Sequence, residues 1–155
     1  MEESANPRTI RLLAGKKSSG DPVFEEVRVE ELGTPGDYRL MASPGLVLGI
    51  ASGDLLRVDP KTGKFDVLDR GGNICIQLYG PHSVSDSVAS AIESLGGWMD
   101  GRSTKLTVFS LPATCGFTEV EKVLNSTMEE NSGVEWYYGN VYDESDGVTP
   151  LNWWK

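Results

Sequence analysis

Residues Asn73 to Gly80 read N-I-C-I-Q-L-Y-G, and this stretch limits the possible folds more than any other. Side chains alternate along an extended chain, so Ile74, Ile76 and Leu78 fall on one face and Cys75 and Tyr79 on the other. A strand that is apolar on both faces belongs inside a sheet, with packing above and below it. Gly71-Gly72 precedes it and Gly80-Pro81 follows it, which marks it as one short element. The expectation is a central strand joining an N-terminal half to a C-terminal half.

Downstream, the apolar period changes from strand-like to helical. Ser83 and Asp86 have the spacing of a capping pair, and Val84, Val88, Ala91, Ile92 and Leu95 form one helical stripe that ends at Gly96-Gly97. Trp98 to Arg102 reads as a short strand and Lys105 to Leu111 as a longer one. Thr118 and Glu121 repeat the capping spacing, and Phe117, Val120, Val123, Leu124 and Met128 make a second stripe that ends near Gly133. Val134 to Tyr142 is the final strand. The order strand, helix, strand, strand, helix, strand is the split β-α-β arrangement of ferredoxin-like folds, with both helices on one face of the sheet.

Upstream, short strand patterns alternate with turns. Thr9 to Ala14, Val23 to Leu32, Tyr38 to Met41, Leu55 to Val58 and Phe65 to Leu68 are separated by Gly- and Pro-containing segments, including Pro35-Gly36 and Asp59 to Lys64. Leu46 to Ala51 is a further apolar run. Short strands at this spacing predict a small, strongly bent sheet or barrel. The expected fold class is therefore α+β. It divides into a flexible tail at 1–8, a β-rich subdomain at 9–70, a ferredoxin-like subdomain at 71–146 and an aromatic tail at 147–155.

Charge and composition narrow the function classes. The 155 residues carry a formal net charge of -9, which disfavours nucleic acid and anionic membranes as direct partners and favours a basic protein. No run approaches the roughly 20 apolar residues of a membrane span, and Met1 to Pro7 lacks the basic start of a secretory signal. A cytoplasmic protein is expected. Cys75 and Cys115 are far apart and lack C-x-x-C spacing, so both are expected to be buried, reduced thiols.

Catalytic and metal patterns are weak. His82 is the one histidine, and no serine, cysteine or aspartate stands at a spacing that would make it a general base, so no enzyme is expected. One histidine and two remote thiols supply no zinc set, the acidic residues fit no calcium loop, and no cofactor is expected. Gly71-Gly72 and Gly96-Gly97 fit no phosphate-loop pattern and read as turns. The C-terminal segment stands out instead, because Tyr137, Tyr142, Trp153 and Trp154 are interleaved with Asp143, Glu144 and Asp146. Aromatics concentrate at the centres of protein interfaces, so these seven residues are the candidate partner-binding set. The alternatives are a solvated acidic turn and tryptophans folded back over an apolar face.

Tyr38 and Leu40, followed by Ile50, Ala51, Gly53 and Asp54, form the pattern Tyr-x-Leu … Ile-Ala-x-Gly-Asp. This pattern resembles a bacterial family of short uncharacterised proteins described as a domain of unknown function. Ala42-Ser43-Pro44-Gly45 replaces the family's usual asparagine and Pro-Phe pair. In structural terms Gly53-Asp54 supplies a turn, with Ile50 and Leu55 entering the core. Some proteins of this kind resemble toxin immunity proteins. The resemblance therefore implies an immunity protein that neutralises a cognate bacterial toxin by direct binding, with a basic toxin domain as partner. The rival expectation, by fold analogy, is a small-molecule sensing or regulatory module.

Overall fold

Alternating Val27 and Val29 with Arg28 and Glu30 suits a strand with one buried face, and the two valines are buried as that pattern requires. A computed structural model describes residues 6–155, so the first part of the tail expected at 1–8 lies outside the described residues. β1 (Asn6–Lys16) begins ahead of the Thr9 start read from the apolar run, and it pairs with β2 (Pro22–Glu31) as a long antiparallel hairpin. β3 (Asp37–Leu40), β4 (Leu55–Val58) and β5 (Phe65–Asp69) continue the meander, giving an antiparallel sheet in the order β1-β2-β3-β4-β5.

This sheet bends but does not close into a barrel. β1 shifts register between Leu13 and Gly15, and Leu13 meets the β4–β5 turn rather than a strand, donating its N–H to the Gly63 carbonyl at 2.9 Å. No ladder between β1 and β5 follows from that single bond. Leu12, Val29, Leu40, Ile50 and Leu56 fill the concave side. Leu56, not Leu55, enters the core, because the Gly53-Asp54 turn starts the strand one residue out of the expected phase.

The second sheet follows the change of period. β6 (Asn73–Tyr79), β7 (Trp98–Arg102), β8 (Leu106–Pro112) and β9 (Glu135–Tyr138) lie in the order β7-β8-β6-β9, and all neighbours are antiparallel. α1 (His82–Ser94) and α2 (Phe117–Glu130) cover one face. There Ile74, Ile76 and Leu78 pack with Val88, Ile92, Phe109, Val120 and Leu124. Each such side chain contributes about 1.5–3 kcal/mol by leaving water.

Three details differ from expectation. Pro81 and Gly116 are the helix N-caps, and neither Ser83 nor Thr118 makes a capping bond. The Pro81 carbonyl already accepts the N–H groups of Val84 and Ser85, and Ser83 lies within the first turn. Met128 is 38% exposed, because the buried stripe of α2 ends at Leu124 and Thr127. β9 stops at Tyr138 rather than Tyr142, since the Asn140 side chain takes over the strand's role. Its Oδ1 accepts the Cys75 N–H at 2.8 Å and its Nδ2 donates to the Asn73 carbonyl at 2.9 Å.

Residues 41–54, without a regular strand or helix, fasten the two sheets together. The Glu25 carboxylate accepts the backbone N–H groups of Gly45, Leu46 and Val47 at 2.8–2.9 Å, which fixes this loop on β2. Across the join, Ser43 and Ser110 hydroxyls lie 2.7 Å apart, Ser52 donates to Ser110, and Asp100 accepts the Ser43 N–H at 2.8 Å. Ala51, Cys75 and Val108 form a small apolar cluster beside this network. Buried polar groups in such a seam need partners, and these supply one another's. Among the described residues no helix is long and apolar enough to cross a membrane.

Candidate functional site

Of the seven C-terminal candidates, the structure gathers Tyr137, Tyr142, Asp143 and Glu144 around one groove of about 720 Å³. The groove follows β9, which is an edge strand of the second sheet. Tyr137 lies opposite Gln77 on the face away from the helices, and its ring meets Tyr79 edge-on at 5.8 Å between centroids. Tyr137 is 51% exposed and Leu46, on the facing loop, 55%. Leu48 completes that apolar wall, and Glu121 and Asn125 of α2 stand on the other side of the strand.

Hydrogen bonds hold the aromatic side chains in place. Tyr138 donates its hydroxyl to Glu121 at 2.7 Å, Tyr137 donates to Glu135, and the Trp136 indole donates to Asn125 at 3.0 Å. Burial, followed by the Glu121 carboxylate, raises the Tyr138 pKa, and the Glu135 hydrogen bond raises that of Tyr137. Both phenols therefore stay neutral donors. No ion pair among the described residues uses Glu121, Glu135, Asp143 or Glu144.

The acidic turn is self-organised. Asp143 accepts the Ser145 N–H at 2.9 Å and its hydroxyl at 2.8 Å, while Asp146 accepts the N–H groups of Val148 and Thr149 and the Thr149 hydroxyl. Those donors favour the charged form and hold Asp146 down at about 2. Asp146 thus turns into its own loop, whereas Glu144 is exposed beside the groove.

Trp153 and Trp154 fold back onto the second core and stay partly buried. The Trp153 indole donates to the Asn140 carbonyl at 2.8 Å, and Trp154 packs edge-on against Phe117. They brace the turn that carries Tyr142 to Glu144, rather than lining the groove.

Other residues weighed from the sequence stand apart. His82 Nε2 donates to the Ser103 carbonyl at 2.6 Å on the surface. Asp54 is buried and accepts N–H groups from Ala51 at 3.0 Å and Gly71 at 2.8 Å. Burial pushes its pKa up, against those bonds and Arg70. His82 and Asp54 line none of the groove. Among the described residues no group of three His, Cys, Asp or Glu side chains is placed to hold a metal ion.

Sequence reasoning missed Leu46, Leu48, Tyr79, Glu121 and Asn125. They come from three segments upstream of β9, the 41–54 loop, β6 and α2, and the fold alone brings them to it. Tyr79 carried a faint signal as an aromatic at the end of an otherwise buried strand.

The family described as a domain of unknown function (DUF4265) matches residues 25–136. The match ends inside β9, so Tyr137, Tyr142, Asp143 and Glu144 lie beyond it. No curated protein matches the chain. A solved structure, of a hypothetical protein from Neisseria gonorrhoeae, is similar at 14% identity and a TM-score of 0.65, covering 90% of this chain and 96% of that one. At that identity the likeness is one of fold.

Proposed function

The chain belongs to the DUF4265 family, a domain of unknown function, and on that premise we propose that it is a non-enzymatic binding protein whose groove along β9 captures a protein partner. In its fullest form the reading is an immunity protein that neutralises a cognate bacterial toxin by direct binding. The carrying observation is the groove itself, with exposed Tyr137, Tyr142 and Leu46 beside carboxylates that form no ion pair among the described residues. Aromatic anchors give such a surface affinity, and uncompensated acids select a basic partner and speed its capture at low salt. The unpaired thiols of Cys75 and Cys115 suit action in the cytoplasm.

The scaffold reading goes with it. The strand order β7-β8-β6-β9 with both helices on one face supports a ferredoxin-like split β-α-β half over 71–146, set against the β-rich subdomain over 9–70.

The test is co-expression with the product of the neighbouring gene. The protein is expected to relieve that product's toxicity and to bind it in purified form, and Tyr142→Ala with Glu144→Lys is expected to weaken binding at least about tenfold. Neither protection nor binding would sink the reading. A second reading, a small-molecule sensing module, draws on the groove's volume, which falls within the roughly 300–1,000 Å³ of ligand cavities. It predicts a homodimer whose melting temperature rises with a metabolite in a thermal-shift screen.

A further inference from the structure

We propose that β9 takes up a basic, extended segment of the partner as a fifth strand of the second sheet. The proposal rests on the partner-binding reading of the groove and specifies how binding occurs. Gly139, just past β9, donates its N–H to the Cys75 carbonyl at 2.8 Å. In an antiparallel ladder, hydrogen-bonded and non-bonded pairs alternate. Counting back from Gly139, Tyr137 opposite Gln77 and Glu135 opposite Tyr79 are the bonded pairs. Trp136 opposite Leu78 and Tyr138 opposite Ile76 are the non-bonded ones, so their N–H and carbonyl groups point away from β6, out of the sheet edge. β9 has no other strand beside it among the described residues.

The opposite edge of the sheet is protected differently. β7 carries a register shift between Met99 and Gly101, and Asp100 turns inward to Ser43. A bulge of this kind discourages strand addition, and β9 has none. The regular ladder ends just past β9, because the Gly139 carbonyl takes the Gly49 N–H at 2.8 Å instead of the Cys75 N–H, which goes to the Asn140 side chain. An added strand would therefore pair at Trp136 and Tyr138 and stop there.

The walls specify its side chains. An added strand projects alternate residues to the two faces. On one face they meet Leu46, Tyr79 and Tyr137, and on the other Glu121 and Asn125. Glu135, Glu121, Asp143 and Glu144 together call for Lys or Arg, and exposed tyrosine rings also attract cations. Pairing with a second copy of this chain is disfavoured. A two-fold β9 contact would bring Glu135 and Glu121 of both copies together in molecules of net charge -9.

Amide hydrogen exchange followed by NMR tests the idea on the full chain. The probe is a blocked peptide of about eight alternating Lys and Val residues, a length that covers a short strand. At millimolar peptide the Trp136 and Tyr138 amides are expected to exchange roughly tenfold more slowly, with Glu135 and Tyr137 unchanged. Protection should weaken as salt rises. It should vanish with a Glu-Val peptide and with the Lys-Val peptide N-methylated at alternate residues. Unchanged exchange at Trp136 and Tyr138, equal binding by the N-methylated peptide, or concentration-dependent dimerisation protecting the same amides would each overturn strand addition. A toxin bound through Tyr142 and Glu144 with those amides still open would leave the partner-binding reading standing and remove only this mode.

Discussion

Gly53 and Gly71 meet backbone to backbone, and a Cβ placed on Gly71 would lie 2.4 Å from the Gly53 carbonyl carbon. The approach lets Asp54 reach the Gly71 N–H, so the turn that starts β4 is fixed against the turn that leads into β6. Gly71→Ala is expected to cost about 1–3 kcal/mol through overpacking, read as a lower urea midpoint. Gly101 is the control, since a Cβ there meets nothing within 4 Å, and Gly101→Ala should stay within about 0.5 kcal/mol of the parent. Equal effects would contradict the contact.

Local pattern carried much of the second sheet's layout. The apolar alternation in Asn73–Tyr79 and the stripes of α1 and α2 are short-range signals, readable within a few turns of chain. What stayed hidden depends on separation. Ser43 and Ser110 are 67 residues apart, as are Asn73 and Asn140. Nothing in the local sequence says that a serine cluster seals a join or that an asparagine side chain substitutes for strand backbone. Helix starts misled because capping spacing fits Ser83 and Thr118 equally well at positions inside the first turn. For the groove, Tyr137, Tyr142, Asp143 and Glu144 were legible as aromatic and acidic neighbours. Leu46, Tyr79 and Glu121 join them only through sheet order.

Asn140 is fully buried and pairs both its amide atoms with the backbone of β6. Asn140→Ala strands the Cys75 N–H and the Asn73 carbonyl, and each buried unpaired group costs about 1–3 kcal/mol. The expected result is a loss of about 2–4 kcal/mol in urea unfolding, with faster exchange at the Cys75 amide. A loss below about 0.5 kcal/mol would show that water or rearranged backbone satisfies both groups.

Two aspartates set opposite pH dependences. Asp146 is held at about 2 in the fold, below its ordinary 3.8, so its stabilisation is fully present above pH 3.8 and is lost as pH falls through about 2. Asp54 is raised above 3.8 by burial, so the folded chain binds more protons than the unfolded one there, and stability falls as pH rises through its folded value. Carboxyl NMR titration should place Asp146 near 2 and Asp54 above 3.8. Thr149→Val removes the hydroxyl that contributes most to Asp146 and should move its midpoint upward. Asp54 titrating below Asp146 would refute the assignment.

Cys75 is buried in the seam and its thiol is pushed up to about 12, chiefly by burial. Cys115 is only partly buried, and burial raises its pKa as well. Because the thiolate is the reactive form, an aromatic disulfide reagent at about pH 8 should titrate no more than Cys115 in the folded chain. Cys75 should react only in denaturant, and Cys115→Ser should abolish the native reaction. Rapid modification of both thiols would mean that the seam opens readily.

The two sheets should unfold together, and Ile76 is the place to test it. Ile76 is buried under both helices, while its neighbours Cys75 and Gln77 face the other half, Cys75 beside Ala51 and Gln77 donating to the Gly45 carbonyl at 3.1 Å. Losing β6 therefore removes the core of the second sheet and the surface on which the 41–54 loop rests. That loop in turn supplies Val47 and Ile50 to the first core. An unpaired carboxylate at Ile76 is costly enough to expel the strand from its site. Ile76→Asp is expected to abolish the folded signal of both sheets in one step, seen as joint loss of amide dispersion for Val29 and Leu56 and for Phe109 and Leu124. A variant that kept native shifts for Val29 and Leu56 alone would show that the β1–β5 sheet folds without β6 and that the seam joins two independent units.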